Sequence, residues 1–304
     1  MGMLEGKVAV ITGAGRGIGR EIALLMAAQG ARVVVNDLGG SEAGEGQDLS
    51  VAEQVAAEIR ARGGQAAANT DSVRSWEGGH RIVQTALDHF GRLDILVNNA
   101  GILRDRMIFK MSEEEWDAVL DVHLKGTFCC TRAAAPHLRE QKSGSLIHFT
   151  STAGLIGNLG QTNYGAAKMA IAGFSRNVAI DMQRANVTSN CIAPFAWTRL
   201  IATIPTDTEA QKKRVEKIKK MTAADVAPLA VFLASEAARN ISGQIFGVRG
   251  KEVYLFSQPR IARSIHNSQG WTAEELAEVL EPAMRTHLTP MDTSASYFSW
   301  DPMV

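Results

Sequence analysis

From Lys7 onward, short β-branched apolar runs alternate with longer stretches whose apolar residues recur at helical spacing. That alternation leaves few folding solutions. Strands joined through helices pair in parallel, and the crossovers bury both faces of the sheet. Residues 8–12, 32–36, 66–70, 95–98, 145–150, 187–192 and 244–248 read as near-continuous apolar strands. Between them, residues 18–29, 49–62, 78–90, 113–140, 164–184 and 224–235 carry the helical period. Gly30, Gly63 and Gly91 stand where a left-handed residue ends a helix. The expected fold is a doubly wound α/β domain over residues 1–250, with a seven-stranded parallel sheet and helices on both faces. Residues 251–304 form a C-terminal extension with one helical run at 272–288, expected to pack on the domain or on a neighbouring subunit.

Two segments break the rhythm. Residues 38–47 are too rich in glycine for a strand and read as a surface loop lengthening the second crossover. Residues 198–221 carry Lys212, Lys213, Arg214, Lys217, Lys219 and Lys220, which fit either a basic lid or a solvated helix face.

Lys plus Arg equals Asp plus Glu at 32 each, which removes the electrostatic footprint of a dedicated nucleic-acid or membrane-surface binder. Cys129, Cys130 and Cys191 form neither a CxxC pair nor an even framework, so a reducing compartment is expected and a structural metal site is not. The first residues lack a signal-peptide core and no apolar run is long enough to span a bilayer, which leads to the expectation of a cytoplasmic protein.

The first strand runs into Gly13-Ala14-Gly15-Arg16-Gly17-Ile18-Gly19 and then a helix, the setting in which backbone approaches a pyrophosphate at a helix N-terminus. Gly13 permits the tight turn, Gly17 keeps a Cβ away from the phosphates, and Gly19 lets helix and strand pack closely. Asp37 ends the second strand, where a carboxylate can accept from the adenosine ribose hydroxyls and repel a 2′-phosphate; capping the strand is its other reading. Arg16 could instead pair with such a phosphate, but Asp37 opposes it, so NAD is expected over NADP. Asp71-Ser72 and Asn98-Asn99-Ala100-Gly101 lie at further carboxyl edges, with Asp71 an acceptor for an adenine amino group.

Tyr164 and Lys168 sit four residues apart at the start of an apolar helix, which puts phenol and ammonium on one face. A free phenol ionises near pH ~10, and a neighbouring cation is the simplest way to make it a usable acid/base. Ser151, at a strand's carboxyl end, can donate to a substrate oxygen.

These features together resemble the short-chain dehydrogenase/reductase family, in which the active-site Ser lies thirteen positions before a Tyr-x3-Lys, as Ser151 does before Tyr164. The resemblance spans residues 4 to about 250 and implies hydride exchange between a nicotinamide and a carbon bearing oxygen. It assigns Lys168 a bond to the nicotinamide ribose and places Pro194 and Thr198 near the carboxamide. Where the family's relay asparagine would stand, this chain has His123, whose neutral imidazole can both donate and accept; a satisfied structural histidine is the other reading. Asn36-Asp37-Leu38-Gly39-Gly40, residues 98–106, Val122-His123-Leu124 and residues 157–161 are similar to the branch containing the (3R)-hydroxyacyl-CoA dehydrogenase units of multifunctional enzymes type 2 and the 17β-hydroxysteroid dehydrogenases. The implied substrate is an acyl-CoA or a steroid, with a carrier-protein-linked 3-oxoacyl group as an alternative. Arg104, Arg106 and the cluster at 212–220 are the cations available for CoA phosphates, and Trp197, Leu200, Ile201 and Met221 are candidates for an apolar pocket. A non-enzymatic nucleotide-sensing scaffold is the competing class. The resemblance also implies a homotetramer packed through 113–140 and 164–184, which the long tail could restrict to a dimer.

Overall fold

The computed structural model describes residues 2–197 and 209–304, the side chains of 210–214 excepted. The expected strands form as β1 (Val8–Thr12), β2 (Arg32–Asn36), β3 (Gln65–Asn69), β4 (Ile95–Asn98), β5 (Gly144–Phe149), β6 (Val187–Phe195) and β7 (Ile245–Arg249). They pair in parallel in the order β3-β2-β1-β4-β5-β6-β7. The sheet has an eighth strand that the sequence reading did not separate from the extension: β8 (Glu252–Leu255) pairs antiparallel with β7, Phe246 opposite Leu255 and Arg249 opposite Glu252. Gly250, at φ +58°, supplies the left-handed residue for the short connection. The strand was hidden because its apolar residues, Val253 and Leu255, face outward while Glu252 and Tyr254 face in.

The helices are α1 (Gly17–Ala28), α2 (Ser50–Ala61), α3 (Trp76–Phe90), α4 (Glu113–Leu120), α5 (Gly126–Gln141), α6 (Thr152–Leu155), α7 (Thr162–Met182), α8 (Glu209–Lys219), α9 (Ala227–Ala234), α10 (Ala273–Met284) and α11 (Ser294–Tyr297). Gly30, Gly63 and Gly91 all take positive φ after their helices. The expected single helix over 113–140 is interrupted: a π turn at Asp121–Lys125 joins α4 to α5 and carries His123. Such an insertion turns one side chain out of the helical repeat, and it is a frequent mark of a functional site.

Strand alternation sends Ala9, Ile11, Val33 and Val35 to a core layer with Ile22 of α1 and Val231 of α9, while Val8, Val10 and Val34 meet Ile82 of α3 and Leu138 of α5. Each large side chain so buried contributes roughly 1.5–3 kcal/mol. The two layers hold the strand ends rigidly, so the loops at their carboxyl edges are fixed relative to one another. The extension is uneven. Helix α10 buries no side chain, whereas α11 and the residues after it return to the sheet. Among the described residues, no helix is long and apolar enough to cross a membrane.

Candidate active site

The strand order reverses between β1 and β4, and the crevice at that point is where open α/β sheets hold ligands. A cleft of about 1210 Å3 opens there along the carboxyl edges of the strands.

One end is built almost wholly from backbone. Gly13 has φ +63°, and a Cβ on it would lie 2.8 Å from Ala100 Cα, so no other residue fits between the β1 and β4 loops. Those loops are tied by Thr12, whose Oγ1 accepts from Asn99 N and Ala100 N, both at 3.1 Å, and by Asn99 Nδ2, which donates to the carbonyls of Thr12 and Gly13 at 2.9 Å. The N-cap of α1, Arg16, makes no side-chain cap, which leaves the first-turn N–H groups without a side-chain acceptor where a phosphate would satisfy them. Gly13, Arg16, Gly17 and Ile18 line this end, and Gly19 lies behind it, packed on the Gly13 carbonyl. The Asp37 carboxylate accepts from Gly15 N at 2.8 Å and Gly39 N at 2.7 Å, which fixes a negative charge at the end of β2. Asp71 faces the cleft, its oxygens held by Arg81 Nε at 2.5 Å and Asn69 Nδ2 at 2.9 Å, with Ser72 beside it. A glycine cradle, an uncapped helix start and a pinned carboxylate fit a dinucleotide.

Asn98 departs from its expected place. Its Nδ2 donates inward to Thr131 Oγ1 at 3.0 Å and to His148 Nδ1 at 3.1 Å, while His148 Nε2 reaches Ser189 Oγ at 3.2 Å. Last in β4 and nearly fully buried, Asn98 belongs to a polar chain across the sheet, and Asn99 is the residue that serves the cleft. His148, neutral because burial pulls it down to about 3, completes that chain.

The other end holds the Ser151, Tyr164 and Lys168 side chains. Ser151 follows β5 and caps α6, where its Oγ accepts from Ala153 N at 3.2 Å and its hydroxyl is hydrogen-bonded to the Tyr164 phenol. Asn163, fully buried, sets the start of α7: its Nδ2 donates to the carbonyls of Arg104 and Glu115, and its Oδ1 accepts from Tyr164 N at 2.7 Å. Thr150 Oγ1 donates to the Lys168 carbonyl at 2.7 Å, which ties the next turn of α7 to β5. Tyr164 and Lys168 therefore share one face, with Nζ 5.5 Å from the phenol ring centroid. Lys168 Nζ donates to the Phe149 carbonyl at 2.6 Å, and burial brings its pKa down to about 7. Burial pushes the Tyr164 phenol up to about 12, opposed by its hydrogen bond with Ser151 and reinforced by the nearby Asp105 charge. The phenol is thus held protonated at neutral pH, the reverse of the lowering expected from a neighbouring ammonium.

His123 stands edge-on to the Tyr164 ring, 5.2 Å between centroids. Its Nε2 meets both main-chain groups of Ile102, the N–H at 3.1 Å and the carbonyl at 2.8 Å, its Nδ1 has no partner among the described residues, and burial and the Lys168 charge hold the ring neutral. Gly101 is required beneath it, since a Cβ there would fall 2.4 Å from His123 Cε1. Ala100, Gly101 and Pro194 line the cleft as expected; Thr198, Leu200 and Ile201 lie outside the described residues, as do the side chains of Lys212, Lys213 and Arg214.

Arg104 and Arg106 are already occupied. Arg104 pairs with Glu114 and donates to the Ala43 carbonyl, and Arg106 holds Glu115 at 2.9 Å. Sequence reasoning also missed Asp105, raised by burial and held by Gln161 Nε2 at 2.8 Å. It missed the wall made by Phe298, Trp300 and Arg249 as well. The only trace of that wall in the sequence is the aromatic cluster at 297–300.

A dinucleotide cradle opening onto a Ser, Tyr and Lys cluster defines an oxidoreductase that acts on CH–OH groups. The short chain dehydrogenase family model matches residues 7–219, and the chain belongs to that family. It is 45% identical over 246 residues to the peroxisomal multifunctional enzyme type 2 of Drosophila melanogaster, covering 81% of this chain and 39% of that protein, so it spans about two-fifths of that relative's length. It is 38% identical over 312 residues to a hydroxyacyl-CoA dehydrogenase of Mycobacterium tuberculosis, covering 99% of this chain and 94% of that one. A crystal structure of a short chain dehydrogenase from Mycobacterium avium superimposes with a TM-score of 0.83 at 40% identity, covering 96% of this chain and 99% of the other. A 7α-hydroxysteroid dehydrogenase solved with NADH and 7-oxo glycochenodeoxycholic acid gives 0.73 at 33% identity, covering 82% and 94%.

Proposed function

We propose that the protein is an NAD-dependent dehydrogenase interconverting a (3R)-3-hydroxyacyl-CoA and the 3-oxoacyl-CoA. The observation that carries this is the convergence of Ser151, Tyr164 and Lys168 on a cleft whose far end is the Gly13 cradle. The likeness to a hydroxyacyl-CoA dehydrogenase over nearly the whole chain supports the substrate. Asp37 supports NAD, because a carboxylate pinned by Gly15 and Gly39 would stand against a 2′-phosphate.

Bound along the cradle, the nicotinamide supplies the acceptor for the hydride that leaves the carbinol carbon. The chain's own residues handle the proton. Ser151 Oγ donates to the substrate oxygen and orients it toward the Tyr164 phenol. In ketone reduction the phenol, protonated at neutral pH, gives its proton to the forming alkoxide; in alcohol oxidation a phenolate takes it. Lys168, charged below its pKa of about 7, offers the nearest cation to that phenolate and also a proton donor toward the nicotinamide ribose. His123 stands beside this pair, and its Nδ1, unpartnered among the described residues, can hold a water that passes the proton on from Lys168.

A hydroxysteroid is the second reading, favoured by the likeness to the 7α-hydroxysteroid dehydrogenase. Turnover of a set of 3-hydroxyacyl-CoAs and hydroxysteroids with NAD and NADP separates the two. Efficient oxidation of steroids with none of the thioesters overturns the acyl-CoA assignment. We also infer a homo-oligomer, tetramer or dimer, supported by exposed Phe128 on α5 and Met169 and Ile180 on α7; a monomer in light scattering overturns it.

A further inference from the structure

The match to the family model ends at residue 219, yet residues 293–302 line the same cleft as Ser151 and Tyr164. Their attachment is specific at three points. Ser294 donates from N at 2.9 Å and from Oγ at 3.2 Å to the carbonyl of Gly157, in the loop between α6 and α7. Phe298, nearly buried, packs edge-on against Phe195 at the end of β6, with ring centroids 4.8 Å apart. Arg249, the last residue of β7, places its guanidinium over both Phe298 and Trp300, at 5.5 and 5.4 Å from their centroids. It also donates to the Trp300 carbonyl at 2.5 Å and to Glu252 at 3.2 Å. A buried cation between two aromatic faces, with its hydrogen bonds satisfied, is a firm anchor. The outer end is held differently. Asp301 pairs with Lys217 of α8 through both carboxylate oxygens at 2.8 and 2.7 Å, across an exposed gap. Exposed pairs are weak and screened by salt.

We propose that residues 293–302 are the specificity-determining wall of the active site. The segment closes the cleft around the part of the substrate remote from the carbinol, and it selects a bulky apolar group there. Phe195 and Phe298 supply the apolar surface, joined by Ile218 and Met221 from α8 and the turn after it. Lys217 is thereby committed to joining the two sides of the cleft mouth, not to an acyl-CoA phosphate. The proposal rests on the dehydrogenase reading and adds the element that sets its substrate range.

The test uses the full chain and compares kcat/KM for 3-hydroxyhexadecanoyl-CoA with that for 3-hydroxybutyryl-CoA. Phe298→Ala should lower the long-to-short ratio roughly tenfold, through KM for the long substrate, because it removes a ring from the apolar wall. Asp301→Asn, a change confined to an exposed side chain, should lower the ratio about threefold, and raised salt should lower the wild-type ratio in the same direction. NADH affinity within about twofold of wild type checks that the cofactor end is intact. An equal loss on both substrates, which a merely structural segment would give, overturns the proposal, as does an unchanged ratio. If the wild type oxidises neither thioester, the acyl-CoA reading fails separately. The wall is then judged by the same variants on a hydroxysteroid against a small secondary alcohol, where an unchanged ratio overturns it.

Discussion

The two ends of the cleft are made in different ways. At the cofactor end the contacts join loops through main-chain groups: Thr12 to Asn99 and Ala100, Asn99 back to Thr12 and Gly13, Asp37 to Gly15 and Gly39. At the substrate end they join side chains far apart in sequence, such as Lys217 with Asp301 and Arg249 with Phe298 and Trp300. A surface shaped by backbone tolerates few residues and accepts one ligand shape. A surface shaped by side chains can change by single substitutions without touching the fold. On the proposed reading the division teaches that one cofactor cradle can serve many substrates, with the chemistry assigned to Ser151, Tyr164 and Lys168 at the boundary.

The largest effect is expected at that boundary. Tyr164→Phe keeps the ring and removes the proton, so turnover should fall roughly a thousandfold while NADH still binds, as fluorescence titration would report; retained turnover would falsify the assigned acid/base. Next comes the backbone-defined end. Gly13→Val puts branched carbon into a left-handed position already 2.8 Å from Ala100, and should weaken NADH binding roughly a hundredfold in the same titration. A tolerated valine would remove the contrast between the two ends. A smaller change is expected from Asp37→Ser, which takes away the charge facing a 2′-phosphate. It should raise NADP use relative to NAD about tenfold in paired kcat/KM measurements, and an unaltered preference would move discrimination elsewhere.

The smallest is a change in stability with pH. Burial lowers Lys168 from its ordinary 10.5 to about 7, so the folded protein carries the full penalty of a buried charge below pH 7. Between pH 7 and 10.5 the unfolded chain binds the extra proton, and stability rises with pH across that window. Lys168→Met should therefore melt roughly 3 °C higher than wild type at pH 6, with the advantage gone by pH 10.5. A gap that widened with pH would mean that Lys168 is stabilised, not destabilised, as a buried cation.

The cofactor end was largely legible because its signals are local. Gly13 to Gly19 follow a strand and open a helix, and Asp37 ends the next strand, so each role depends on a few neighbouring residues. Asn98 misled for the same reason: at a strand end, one residue decides between facing the cleft and facing the sheet, and period-two geometry gave the cleft to Asn99. The π turn at His123 was not legible, since one extra residue in a helical turn leaves the apolar pattern of 113–140 nearly unchanged.

Sequence alone determined seven strands in one parallel sheet and the expectation of a dinucleotide cradle at Gly13 to Gly19 and of a Ser151, Tyr164 and Lys168 set. Each follows from periodicity or spacing along one short stretch of chain. Tertiary structure decided the antiparallel β8, the inward turn of Asn98, the upward shift of the Tyr164 phenol and the lining of the cleft by residues 293–302. Those depend on burial and on contacts between residues far apart in the chain, such as Ser294 with Gly157, and no local pattern records which distant partner a side chain will meet.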